Sequence, residues 1–214
     1  VFITLLIGLL SALALNSNWL KGKAFFHLVI LIPWTLSFVV TGAVWRWLLN
    51  SSYGVVNAIL QDLGIISSNI SFLGSQNLAL PSVIFVNIWR NIPFAMVMLY
   101  AGLQLIPEEQ VDAAKVDVAN SLQVFWFVTI PCLRGVIAVT SVLLTIWTFV
   151  QFDLTQVLTQ GGGPNHATEL LSNLIYRISF KFYDFGYGSA IAVLMLLIVL
   201  VLTIIYVKFL EVKD

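Results

Sequence analysis

Apolar residues gather in five long runs, at about 1–15, 25–49, 79–105, 132–157 and 187–209, with polar residues concentrated between them. A bilayer core about 30 Å thick is crossed by roughly 20 helical residues, so each run predicts a membrane helix. The runs are too long for strands and lack the alternation of a membrane barrel. The expected fold is an all-α, polytopic helix bundle forming a single domain over 1–214. The first run opens at Val1 without an initiator Met or a basic leader. That reads as a truncated helix rather than a signal peptide, with further chain expected upstream.

The polar stretches set the topology. Asn16 to Lys23 is short and basic and carries Trp19, so the positive-inside rule places it in the cytoplasm. Alternation then puts 50–78 outside, 106–131 inside, 158–186 outside and the tail from Lys208 inside. Arg177 and Lys181 fall on the outer side against that preference. Segment 50–78 spaces Val55, Val56, Ile59, Leu60 and Leu63 at helical intervals beside Asn57, Gln61 and Asp62. This pattern suits either a helix lying in the interface or a packed cap on the bundle. Gly161-Gly162-Gly163-Pro164 cannot continue a helix and predicts a structured turn.

The stretch from Ile106 to Arg134 is helical in pattern but too polar to span. Pro107 suits a first helical turn, Glu108 and Glu109 suit its positive end, and Val111, Ala113, Ala114, Val116 and Ala119 continue an apolar stripe. Leu122 and Val124 to Val128 form a second apolar face, and Pro131 marks the expected start of the next membrane helix. Two short helices joined near Val118 to Ser121 would form either a lever projecting into the cytoplasm or an amphipathic surface resting on lipid. Pattern alone leaves both open.

Composition narrows the chemistry. The 214 residues are 60% hydrophobic and 9% charged, with mean hydropathy +0.99, which no soluble domain could hide. Ten basic residues balance ten acidic ones, so no net field points to nucleic acid. The single Cys132 permits no intrachain disulfide, zinc or redox pair. His27 and His166 stand isolated in the sequence, giving no metal set. Asp112 and Asp117, five residues apart, do not share a helix face for acid–base work. Catalytic residues are therefore not expected.

Polar side chains within the runs are costly and mark a pathway or an interhelical contact. Asn87, Arg90, Asn91 and Phe94 fall on one helical stripe of the third run, and Trp147, Thr148 and Gln151 on one of the fourth. Amides, hydroxyls and aromatic faces of this kind suit a saccharide, and they suit helix-to-helix hydrogen bonding equally. Arg90 has two further readings, an ion pair with Asp153 or a place near the outer headgroups. Trp45-Arg46-Trp47 reads as an aromatic belt with a snorkelling cation.

Here the residues reach a resemblance. Ile106-Pro107-Glu108-Glu109, Asp112-Ala113-Ala114, Asp117, Ala119, Phe125 and Thr129-Ile130-Pro131 resemble the EAA loop of permease subunits in binding-protein-dependent ABC importers, and more narrowly the maltose-type sugar group. Pro33-Trp34, Trp45-Arg46-Trp47-Leu48, Trp89 with Pro93-Phe94, Gly102-Leu103-Gln104, Phe152-Asp153, Leu158-Thr159, Thr168-Glu169 and Asp184-Phe185-Gly186-Tyr187 resemble the same group in order and spacing. Nearly the whole chain is covered.

The resemblance implies a type I importer permease of six helices, one of them before Val1, in a bacterial or archaeal cytoplasmic (inner) membrane. It implies a second permease, as a heterodimer, and a dimeric partner ATPase that binds ATP and Mg. Onto that ATPase the loop would dock through Glu108, Asp112, Ala113, Ala114, Asp117, Val118, Phe125 and Pro131. An extracytoplasmic substrate-binding protein would meet Gly161, Gly162, Gly163 and Pro164. The implied cargo is a sugar, oligosaccharide or polyol, with the two polar stripes as pocket candidates. The chain itself is expected to hold no cofactor. Two positions depart from the group: Asp112 replaces a glutamate, and Val118 replaces a glycine, which implies either right-handed backbone in that turn or a different coupling geometry. A phosphorylated polyol or acidic sugar partnered by Arg90 is the alternative cargo. A secondary transporter is a more distant alternative, because no acidic or His relay lies within the runs.

Overall fold

The computed structural model describes residues 1–17, 22–107, 109–110 and 120–210, and every regular element among them is helical. In chain order these are α1 (Phe2–Asn16), α2 (Lys23–Thr35), α3 (Phe38–Leu48), α4 (Val55–Asp62) and α5 (Gln76–Gln104). Then α6 (Ser121–Val124) leads through a π turn (Phe125–Thr129) into α7 (Ile130–Val150), followed by α8 (Asp153–Thr159) and a 3₁₀ turn (Pro164–His166). Last come α9 (Leu171–Tyr176), a second π turn (Arg177–Lys181) and α10 (Phe185–Leu210).

The all-α expectation holds, but five straight spans do not follow from the five runs. Gln76–Gln104, Leu122–Val150 and Phe185–Lys208 are long and apolar enough to cross a membrane, and a fourth crossing exists if the bent pair α2 and α3 is one broken span. The break falls at Leu36 and Ser37. Ser37 is extended (φ −65°, ψ 156°) and its Oγ accepts the Val40 N–H at 3.2 Å, so a new helix is capped in the middle of an apolar run. The 132–157 run also divides. Its helix stops at Val150, Gln151 and Phe152 are non-helical, and α8 restarts with Asp153 in its first turn, where a carboxylate favours the helix dipole.

Pro131 does not open a helix as expected; the helix runs through it. The π turn Phe125–Thr129 lies immediately before, with the Ile130 N–H bonded to the Phe125 carbonyl five residues back. Proline lacks an N–H and crowds the carbonyl four residues earlier. The wider turn relieves both problems without ending the helix.

The chain packs as two compact units, one of Val1–Trp34, Asn91–Thr145 and Leu200–Asp214, the other of Thr35–Arg90 and Ile146–Val199. Lipid supplies no hydrophobic drive between helices, so close approach and shape carry the packing. In the first unit Ala12, Leu15, Met96, Leu99, Leu103 and Leu133 form a core, and Gly8 lies so near α5 that a Cβ there would sit 2.6 Å from Ala95 Cβ. In the second unit the core is Leu49, Val83, Val86, Leu154 and Leu158. Gly42 brings α3 onto α8, where a Cβ would sit 2.9 Å from Val157 Cβ.

Segment 50–78 is tied together through Asn57, while Val55, Ile59 and Leu63 of its apolar face are exposed. Asn57, 3% exposed, donates to the carbonyls of Asn50 at 3.3 Å and Ile70 at 2.9 Å and accepts the Ile70 N–H at 2.9 Å. One amide thus ties the start of α4 to the chain on both sides of it, an economical way to satisfy backbone groups that have no helical partner.

Candidate functional site

The polar stripe of the third run lies on α5. Arg90, 8% exposed, donates Nη2 to the Leu36 carbonyl at 3.0 Å, and its guanidinium lies 3.6 Å from the centroid of the Phe38 ring. Its cation therefore serves the α2–α3 break, a role the residue spacing did not suggest. Asn87 is half-buried, Asn91 is buried, and Phe94 packs with Ala95 and Leu144 and meets the Trp34 ring at 5.9 Å. The stripe crosses from one compact unit to the other between Arg90 and Asn91.

Of the second stripe, Trp147 and Thr148 lie on α7, whereas Gln151 lies beyond its end. Trp147 is exposed, Thr148 half-buried and Gln151 buried, and the Gln151 backbone carbonyl accepts a short hydrogen bond from Ser172 Oγ. Trp45 is half-buried and packs edge-on against Phe85 and Trp89 at 5.3 and 5.4 Å. Trp47 is 53% exposed, and Arg46, also exposed, reaches the Val157 carbonyl through Nη1 at 3.3 Å.

The glycine turn is structured, and its lock is a pair of threonines. Thr159 Oγ1 and Thr168 Oγ1 are 2.7 Å apart and buried. The Gly163 N–H donates to the Thr159 carbonyl at 2.7 Å and the Thr168 N–H to the Gly162 carbonyl at 2.9 Å. Gly163 adopts φ 62°, ψ −163°, a region essentially closed to other residues, and a Cβ there would sit 2.8 Å from Thr168 Oγ1.

Beside the turn lies an open cleft of about 560 Å³, entirely within the second unit, lined by residues of 46–51, 71–74, 158–169 and the second π turn. The two segments that alternation places on one side of the bilayer thus share one cleft. His166 is not isolated there. Its Nδ1 is 3.2 Å from Glu169 Oε2, and Glu169 is held by Arg177 through Nε at 2.9 Å and Nη2 at 3.1 Å. The sequence signals were His and Glu three residues apart and cations on the unexpected side.

Of the docking residues, Glu108, Asp112, Ala113, Ala114, Asp117 and Val118 lie outside the described residues. Phe125 and Pro131 lie inside them, at the π turn and one residue into α7. Phe125 meets Trp126 edge-on at 5.3 Å, and Trp126 and Phe127 are 59% and 78% exposed. The helix starts with a reciprocal cap: the Asn120 N–H donates to Gln123 Oε1 at 2.8 Å and the Gln123 N–H to Asn120 Oδ1 at 2.9 Å, satisfying two donors of its first turn. Among the described residues no group of three or more His, Cys, Asp or Glu could hold a metal.

Comparison with known proteins fits this architecture. The family of binding-protein-dependent transport system inner membrane components matches residues 4–211. The trehalose/maltose transport system permease protein MalF of Thermococcus litoralis is 37% identical over 203 residues, covering 95% of this chain and 67% of that protein. The sulfoquinovosyl glycerol transport system permease protein SmoG of Agrobacterium fabrum is 34% identical over 214 residues, covering 100% of this chain and 67% of that protein. A chain in the crystal structure of a bacterial alginate ABC transporter, in complex with its alginate pentasaccharide-bound periplasmic protein, superposes with TM-score 0.80 at 24% identity, over 94% of this chain and 70% of its own. The chain belongs to the binding-protein-dependent transport family as a multi-pass permease subunit of an ABC importer, a transport component and not an enzyme.

Proposed function

We propose that this permease imports a sugar, oligosaccharide or polyol by alternating access, driven by a partner ATPase that docks on 106–134. ATP and Mg are held by that ATPase, a second permease completes the pathway, and an extracytoplasmic binding protein delivers the cargo across a bacterial or archaeal cytoplasmic membrane. The observation that carries the reading is the unbroken helix from Leu122 to Val150. It starts at a capped end in the loop, presents Phe125 and Trp126 there, and continues through the membrane span toward Trp147 and Thr148. Phe125 and Trp126 at its loop end and Trp147 and Thr148 near its other end are thus carried by one helix. The named cargoes of the trehalose/maltose and sulfoquinovosyl glycerol relatives support the carbohydrate class.

The test is Asp112→Arg combined with Ala114→Arg. Wild-type chain should co-purify with an ATPase, and the double variant should lose it while remaining in the membrane. Equal recovery of the ATPase with both would remove docking from this loop. An anionic cargo is the second reading. It turns on Arg90, whose Nη2 donates to the neutral Leu36 carbonyl and whose guanidinium faces Phe38, while its buried Nε has no hydrogen-bond partner.

A further inference from the structure

The stretch 106–134 departs from α5 and returns through α7, and these two stems touch. Gly102 lies in the last turn of α5, where a Cβ would sit 2.8 Å from Leu133 Cδ2 and 3.0 Å from Val136 Cγ2. Leu133 is fully buried and Val136 is β-branched, hence stiff at χ1, so neither gives way cheaply. Glycine is a poor helix former, and this contact accounts for its place inside a helix. Beyond it the chain turns at once. The Leu105 N–H reaches the Gly102 carbonyl at 3.2 Å and the Ile106 N–H the Leu103 carbonyl at 3.4 Å. A residue of the stretch itself is held against the second stem, where Cys132 Sγ donates to Gln110 Oε1 at 3.3 Å.

A third helix joins them. Gln104, the last residue of α5, donates Nε2 to Oδ1 of Asn16, the last residue of α1, at 2.6 Å. There α1 closes, with the Ser17 N–H on the Leu13 carbonyl at 3.0 Å and Ser17 Oγ on the Ala14 carbonyl at 2.7 Å. One residue before each amide, Leu15 and Leu103 enter the buried core that they share with Leu133 of α7. The ends of α1 and α5 and the start of α7 thus form one base, inside a single compact unit. Both amides are exposed, and a hydrogen bond exchanged against water adds little to stability. Folding alone therefore does not account for a side-chain bond between residues 88 positions apart.

We propose that Gly102 and Gln104 are positioning residues for energy coupling. Gly102 lets the two stems of 106–134 meet, and Gln104 fastens them to α1. A push on the stretch then reaches three helices together, because packed interiors transmit strain with little compression. This rests on the reading that a partner ATPase drives 106–134, and it specifies which residues pass that drive inward.

The experiment uses the complete transporter with its ATPase and binding protein in lipid nanodiscs. Spin labels are placed in pairs at Ala14→Cys, Ala101→Cys and Arg134→Cys, exposed positions on α1, α5 and α7. The background is Cys132→Ser, which keeps a donor to Gln110. Pulsed electron paramagnetic resonance measures each pair without nucleotide and after trapping with MgATP and vanadate. Every wild-type pair should keep its separation within about 1 Å on trapping, at the low end of helix shifts between conformational states. In Gln104→Leu the 14–101 separation should change on trapping by about 2 Å or more while 101–134 holds, and in Gly102→Val 101–134 should change instead. A residue with a merely structural role would shift the separation equally with and without nucleotide. Asn16→Gln with Gln104→Asn exchanges the two amides and should restore wild-type behaviour, and all variants should retain the ATPase. Wild-type pairs that separate on trapping, or a Gln104→Leu complex whose pairs do not, would overturn the proposal and leave the reading intact. Gln104 is exposed, so Gln104→Leu decides the question even if Gly102→Val fails to fold. A wild-type complex that holds no ATPase would remove the reading, and the proposal with it.

Discussion

Arg90 Nη2 and the carbonyl of Leu36 lie 3.0 Å apart, joined across 54 positions of sequence. Leu36 sits at the break between α2 and α3, where the last carbonyls of a helix lose their intrahelical donors. No water is present at membrane depth to replace them. A buried guanidinium does so here, with its face against Phe38. The break is therefore stabilised from α5 and not by its own sequence alone.

Replacing Arg90 with Met should cost about 1.5–3 kcal/mol, the range for a hydrogen bond to a charged group. It would be read as a lower thermal unfolding midpoint of the purified protein in detergent. Arg90→Lys keeps the donor and should lose less. Wild-type stability in Arg90→Met would show that the break needs no brace, and transport measured with neutral and anionic sugars in Arg90→Gln would report separately on any contact with cargo.

Gly162 and Gly163 should respond differently to alanine. Gly163 combines positive φ with a Cβ that would meet Thr168 Oγ1 at 2.8 Å, so Gly163→Ala should cost about 1–3 kcal/mol of backbone strain. At Gly162 φ is not in the positive range and a Cβ would stand 3.4 Å from His166 Nδ1. Gly162→Ala should be nearly neutral. Hydrogen exchange across 159–168 distinguishes them, with faster exchange expected only for Gly163→Ala.

The Asn120–Gln123 cap should anchor the start of the lever helix. Asn120→Ala removes one side of a reciprocal pair and should cost about 1 kcal/mol. The loss should appear as faster amide exchange at 121–124, with the interior of α7 unchanged. Unaltered exchange at 121–124 would mean that the cap does not hold the helix end.

The helical class was legible because apolar runs of this length have few other solutions in a bilayer. The breaks were less so, although Ser37 and Asp153 are ordinary helix-starting residues; both sit inside runs whose hydrophobicity reads straight through them. Pro131 misled in the opposite direction, because a π turn let the helix pass. Glycine spacing located the turn at 161–164, but the Thr159–Thr168 lock and the His166–Glu169–Arg177 group depend on how the chain folds back, which spacing does not encode. The same holds for Arg90, whose partner lies 54 residues away. Sequence left it between cargo contact, an ion pair with Asp153 and the outer headgroups, and the fold adds partners at Leu36 and Phe38.

The central claim, a carbohydrate importer driven through 106–134, is tested most directly by ATP hydrolysis in the reconstituted complex. Hydrolysis should rise several-fold when the binding protein is added with one particular sugar or polyol, and that rise should vanish in Asp112→Arg with Ala114→Arg. Hydrolysis that no carbohydrate-loaded binding protein stimulates, or stimulation that survives the loop substitutions, would contradict it.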